Sequence, residues 1–150
     1  MKSHMRLFFK ASACAVFALA CASPANADPC KAIPDKGPSP SWLKAGANFQ
    51  GTVRHIIDGD GLCVGIGPDP STWIEVRLGD FDATELATYP GRQAKAVLSR
   101  IAEGRQASCK AVRGRSGRVR VHDRVIAVCR IGGISVGDAM RSAGIVEGGN

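Results

Sequence analysis

One stretch of this chain has a clear helical repeat, and it limits what the rest can be. Between residues 91 and 103, Ala94, Val97, Leu98 and Ile101 fall at i, i+3, i+4 and i+7. That spacing makes an apolar stripe that a helix can bury, and Gly104 ends it. The segments before it have a different texture. Val53, Ile56 and Ile57 run into the turn Asp58-Gly59-Asp60-Gly61, and Leu62 to Ile66 resumes as a strand until Pro68 and Pro70 break it. Residues 73–78 alternate, with Ile74, Val76 and Leu78 on one face and Glu75 and Arg77 on the other.

After the helix, residues 107–112 and 119–131 read as two further strands joined by the Gly-rich turn Arg113-Gly114-Arg115-Ser116-Gly117. Residues 135–143 read as a short second helix with Ser135 as N-cap and Gly144 as terminator. Three strands, a helix, two strands and a short helix predict a mainly β chain with helices (α+β). The specific expectation is a five-stranded OB-fold-like Greek-key barrel with two helices over residues 48–150. Residues 28–47 hold Pro29, Pro34, Pro38 and Pro40 with no apolar periodicity, and read as an extended lead-in.

Residues 1–27 have the pattern of a cleaved secretory signal. Lys2, Arg6 and Lys10 form a basic start, residues 11–22 are apolar and small, and Ala25-Asn26-Ala27 supplies a small-x-small cleavage site. The apolar run is too short to span a bilayer. Secreted or periplasmic localisation, no stable membrane association after cleavage and a monomer are expected. Removing 27 of 150 residues leaves 123, enough for one domain. The leader holds three of the 20 Lys and Arg and no acid, so 17 bases against 13 acids remain, a net charge of +4. Arg105, Lys110, Arg113, Arg115, Arg118, Arg120 and Arg124 share one stretch with Asp123 as its only acid. Such a cluster suits a polyanion, and equally a solvated hairpin.

Export also bears on Cys30, Cys63, Cys109 and Cys129, since disulfides persist outside the cytosol. Four cysteines allow three pairings. Cys109 and Cys129 lie in neighbouring strand-like segments and are expected to pair, with Cys30–Cys63 tethering the lead-in; buried free thiols are the alternative. With no C-x-x-C and two histidines after the leader, a zinc site is not expected.

Three groups of residues carry chemistry: Asp58-Gly59-Asp60 at a strand end, Arg77 running into the carboxylate-rich 80–85 loop, and Arg124 opening an apolar strand. Carboxylates and backbone carbonyls are hard ligands suited to Ca²⁺ or Mg²⁺. Hydrolysis of a phosphodiester needs a water, a base and cations for the charge on phosphate oxygens, and Arg matches those oxygens bidentately. Each group alone has a plain structural reading: a hairpin turn, a surface ion pair, one more basic residue.

In this order the groups resemble the staphylococcal-nuclease family, whose pattern runs Asp-Gly-Asp, Arg-Leu leading to Asp-Ala/Thr-Pro-Glu, an amphipathic helix, then Tyr-Gly-Arg. Asp58-Gly59-Asp60, Arg77, Asp82, Glu85 and Arg124 fit it in register, and residues 133–145 echo its closing segment. The resemblance covers residues 49 to 146. It implies a five-stranded OB-like barrel that hydrolyses DNA and RNA with little sequence preference. Asp60, Asp82 and the carbonyl of Ala83 would bind Ca²⁺, in preference to Mg²⁺, with Asp58 nearby through water. Glu85 would activate the attacking water, and Arg77 and Arg124 would stabilise the phosphate.

The chain departs from the pattern at several positions. Thr84 replaces the Pro before the Glu, His122-Asp123 replaces Tyr-Gly, and Asp80 adds a carboxylate. The rival expectation is an OB-fold module that binds nucleic acid or a partner without cutting, in cell-envelope or exopolysaccharide processes among others. Gly133-Ile134-Ser135-Val136-Gly137 matches a serine-hydrolase elbow, but no His follows Ser135.

Overall fold

The computed structural model describes residues 28–148. The expected leader, residues 1–27, lies outside the described residues. The barrel strands are β1 (Asn48–Ile56), β2 (Gly61–Gly65), β3 (Trp73–Leu78), β4 (Gln106–Ala111) and β6 (Arg124–Ile131). Two-residue strands β5 (Arg120–Val121) and β7 (Ile134–Ser135) pair with β6, and α1 (Tyr89–Ala102) and α2 (Val136–Ser142) complete the set. β1, β2 and β3 form an antiparallel meander, β1 also pairs β4, and β4 pairs β6. β6 then returns parallel to β3, with Val76 opposite Val125 and Arg77 opposite Ile126, and closes the sheet. The chain is a closed five-stranded mixed barrel with two helices, of the OB-like α+β class.

Inward side chains fill the barrel: Val53, Leu62, Val64, Ile74, Val76 and Val125 are essentially inaccessible. Burying each such aliphatic side chain is worth roughly 1.5–3 kcal/mol. The stripe of α1 covers one end, with Ala94, Val97 and Leu98 buried and Ile101 partly so. Met140 of α2 joins the same core. Both expected disulfides are present, Cys30–Cys63 and Cys109–Cys129. Among the described residues, no helix is long and apolar enough to cross a membrane.

Three local readings change. The segment expected as one strand from 119 to 131 is a hairpin, β5 and β6, turning at His122-Asp123, where His122 takes φ 57°. Val119 and Val121 before the turn and Val125 and Ile126 after it are all β-branched, so periodicity alone runs through it. The lead-in, residues 28–47, runs as bends and turns with no strand, and it is packed, burying Ile33 and Leu43 against the barrel. Arg120 fastens it, donating to the carbonyls of Pro34 and Gly37. The third change concerns Glu75. It does face away from the barrel interior, yet it is buried because the lead-in covers that face.

Candidate active site

The β1–β2 turn, the end of β3 and the loop into α1 meet at one end of the barrel. Asp58 Oδ1 accepts from the Asp60 amide at 3.1 Å, which closes the turn and directs Asp60 toward β3. Leu78 N donates to the Asp60 carbonyl at 2.8 Å. Gly59 is required here by close approach: a Cβ on it would stand 2.5 Å from the Cβ of Ala83 and 2.7 Å from that of Ala94. The turn thereby sits directly under the 82–84 loop and α1.

Two of the expected carboxylates converge on one guanidinium. Arg77 Nη2 lies 3.4 Å from Asp60 Oδ2 and also bonds Asp82 Oδ1. Asp60 Oδ2 accepts from the Ala83 amide at 3.1 Å, and Arg115 Nη2 approaches Asp82 Oδ2 at 3.6 Å. Asp60 is only 4% exposed. Burial pushes its carboxyl up to about 6, Arg77 opposes that, and Asp58 adds to it. Asp58, Asp60, Arg77, Asp82 and Ala83 are thus brought together, with Ala83 touching Asp60 through its amide.

The other expected residues stand differently. The Glu85 main chain is fixed: its carbonyl accepts from Thr88 N at 2.9 Å and Thr88 Oγ1 at 2.7 Å. Its side chain is exposed and makes no hydrogen bond or ion pair among the described residues. Thr84 occupies the Pro position of the resembled pattern, and its loop is braced from outside. Gly148 N donates to the Asp82 carbonyl at 2.8 Å and packs on Thr84. Asp80 turns away from Arg77 to accept from Ser135 Oγ, so it fastens α2. Ser135 itself N-caps that helix through Asp138 N at 3.2 Å.

Arg124 pairs with Glu75, Nε to Oε1 at 4.0 Å. Around Glu75, the carboxylate oxygens of Asp28, Glu75 and Asp123 all lie within 4.8 Å of one another. Burial, then Asp123 and Asp28, push the Glu75 carboxyl up to about 8, and Arg124 draws it back. Strand alternation alone reads Glu75 as a surface residue. The signal that points to the trio is the Cys30–Cys63 pairing, because Cys63 faces Glu75 in the β2–β3 ladder and so carries Asp28 to it.

The basic stretch is also partly committed. Arg105, Arg113 and Arg120 donate to the carbonyls of Ile101, Gly117 and Pro34, respectively. Beside Arg77 lies a groove of about 490 Å³ walled by Arg77, Asp82 and Arg115, with Val121 and Ile126 on its apolar side. No protein-family model matches the chain, and no curated protein matches it.

Proposed function

We propose that the chain hydrolyses nucleic-acid phosphodiester bonds with the help of an oxygen-ligated divalent cation, Ca²⁺ before Mg²⁺. The observation that carries this reading is the convergence of Asp60 and Asp82 on Arg77 Nη2, at a groove with a second guanidinium, Arg115, in its wall. Cation-binding and anion-binding groups in contact are what a metal-assisted phosphoryl site requires.

The donor set fits such an ion. It is all oxygen, and burial and Asp58 push the Asp60 carboxyl up, a penalty on its ionised form that a divalent cation would offset. Asp60, Asp82 and the Ala83 carbonyl would hold it. When bound, the ion supplies Lewis-acid stabilisation of charge on phosphate oxygen. Arg77 would bind a phosphate oxygen. Arg124 would supply a further guanidinium from the same face of the sheet, outside the groove wall itself. Glu85, exposed beside the site on a fixed main chain, accepts the proton of the attacking water. The apolar side of the groove, Val121 and Ile126, suits the flat face of a base or sugar. A secreted or periplasmic setting belongs to the same reading, since two disulfides are compatible with it.

One observation favours a second reading, an OB-fold module that binds nucleic acid without cutting it. Glu85 touches neither Arg77 nor the two aspartates, and Arg77 is neutralised by both of them. Digestion of single-stranded DNA by the purified protein, with Ca²⁺, Mg²⁺ or chelator, separates the two. Cleavage with Ca²⁺ that collapses in Glu85→Gln and Arg124→Ala supports the hydrolase. Salt-sensitive binding without cleavage under any metal replaces it with the binding module.

A further inference from the structure

The outer face of β3 carries a buried carboxylate that the proposed reaction does not use. Glu75 is 7% exposed and lies two residues before Arg77, so both project from the same face of the strand. The lead-in covers Glu75. Lys31 N and Ala32 N donate to the carbonyls of Pro70 and Trp73 at 3.1 and 3.0 Å, and Cys30 is bonded to Cys63, which stands across from Glu75. Among the described residues, charged and titratable groups approach Glu75 from the lead-in, the β5–β6 hairpin and its own strand, and His55 lies beyond Cys63 on the same face. The lead-in brings Asp28 and Lys31, whose Nζ is 3.9 Å from Asp28 Oδ2. The β5–β6 hairpin brings Asp123 and Arg124, and its own strand brings Arg77.

Burying a carboxyl among other carboxyls is costly, so a surface strand gains nothing by it. The contact it makes is specific. Glu75 Oε1 faces Nε of Arg124, at the inner edge of the guanidinium. Arg124 makes no hydrogen bond or ion pair with any other residue among the described ones. At 4.0 Å this is an ion-pair contact, and an arginine approached from its Nε edge leaves its terminal nitrogens as a fork, the geometry that takes two phosphate oxygens. Because β6 runs parallel beside β3, Arg124 comes up on the face from which Arg77 projects.

We propose that Glu75 is a positioning residue that holds the Nε edge of Arg124 and aims its terminal nitrogens at the phosphate bound by Arg77, with Asp28 delivered by the Cys30–Cys63 bond to wall the pair from solvent. The inference rests on the phosphodiester reading of the site for its consequence, and on the Glu75–Arg124 contact for its geometry. The two are tested separately.

Glu75→Leu removes the acceptor at similar volume, and Glu75→Gln keeps an oxygen. The first readout needs no activity: the Nε–H signal of Arg124 in ¹H–¹⁵N spectra, assigned with Arg124→Lys. Slow solvent exchange is expected in the wild type, at least tenfold faster exchange in Glu75→Leu, and recovery in Glu75→Gln. The second readout is hydrolysis of single-stranded DNA. Glu75→Leu is expected to lose on the order of 10²-fold in kcat, the cost of a misplaced catalytic group, and Glu75→Gln to restore most of it. As pH rises through the Glu75 titration, the new negative charge beside Arg124 should raise KM in the wild type and leave it flat in Glu75→Gln.

An Arg124 signal unchanged in Glu75→Leu overturns the inference whether or not the protein cuts DNA. If Glu75→Leu fails to fold, identical pH profiles for the wild type and Glu75→Gln overturn it instead. Wild-type protein that never cleaves, but shows the Glu75-dependent signal, overturns the hydrolase reading and leaves the positioning contact established.

Discussion

Arg77 reaches Asp60 with the same nitrogen that bonds Asp82: Nη2 stands 3.4 Å from Asp60 Oδ2. An ion that takes both carboxylates must therefore displace this guanidinium and, below about pH 6, the proton on Asp60 as well. The raised carboxyl means that the ion-free native state holds a proton that the unfolded chain releases near 3.8, so native stability falls as pH rises from there to about 6. Ca²⁺ restores it. At 100-fold excess over Kd, Ca²⁺ should stabilise by about 2.7 kcal/mol at pH 7.5, several degrees in Tm. Thermal melts with and without Ca²⁺ should show this gain shrinking as pH drops through 6 and vanishing in Asp60→Asn. A gain independent of pH and of Asp60 would place the ion elsewhere.

Glu75 supplies a second pH signature, of the same sign and at higher pH. Burial, then Asp123 and Asp28, push its native carboxyl from an ordinary 4.5 up to about 8. The native state thus keeps a proton that the unfolded chain has lost, and stability declines between those two values. Glu75→Gln removes the titration. Its Tm should match the wild type near pH 4 and exceed it at pH 9, by a few kcal/mol at most in stability. Parallel Tm–pH curves for the wild type and variant would refute the burial of Glu75.

Much of the barrel is legible in the sequence because its signals are local. Residues 73–78 alternate cleanly and form β3 over that span. Helix α1 begins earlier than the stripe suggests, because Thr88 caps it through Gly91 N and Pro90 is harmless in a first turn that needs no amide. What escapes is the contact between distant segments. No periodicity marks Glu75 as buried, since the residues that bury it come from the lead-in. Nor does any motif say that Arg120 is spent on lead-in carbonyls rather than on a polyanion. The order of Asp60, Arg77, Asp82 and Arg124 along the chain is readable, whereas the pairing of Arg77 with carboxylates and of Arg124 with Glu75 depends on how β3 and β6 meet.

The two disulfides should differ in effect despite similar loop lengths. Their separations, 33 and 20 residues, give about 3–4 kcal/mol each by loop entropy. Cys109–Cys129 joins residues already paired in the β4–β6 ladder, so its loss should lower Tm without opening one region. Cys30–Cys63 ties the lead-in, so its loss should free residues 28–39 locally. Limited trypsin digestion is expected to cut at Lys31 and Lys36 in the Cys30→Ser/Cys63→Ser protein under conditions that spare the Cys109→Ser/Cys129→Ser protein. Equal resistance in both would mean that Arg120 and the buried Ile33 and Leu43 hold the lead-in without the bond.

Gly59 ties the fold to the site most directly. A methyl group there would meet Ala83 Cβ at 2.5 Å and Ala94 Cβ at 2.7 Å, neither on a flexible arm. Relief requires the 82–84 loop to lift from the turn or α1 to shift, and both neighbours are attached to buried structure. Overpacking of this kind costs roughly 1–3 kcal/mol. The loop is the softer side, being an unpaired connection braced by Gly148, so Asp82 should move away from Asp60. Gly59→Ala is therefore expected to lower Tm modestly and to weaken the Ca²⁺-dependent gain much more than that loss alone implies. Calorimetric titration with Ca²⁺ alone checks this: unchanged affinity in a folded Gly59→Ala protein would mean that the ion does not need Asp60 and Asp82 at their present spacing.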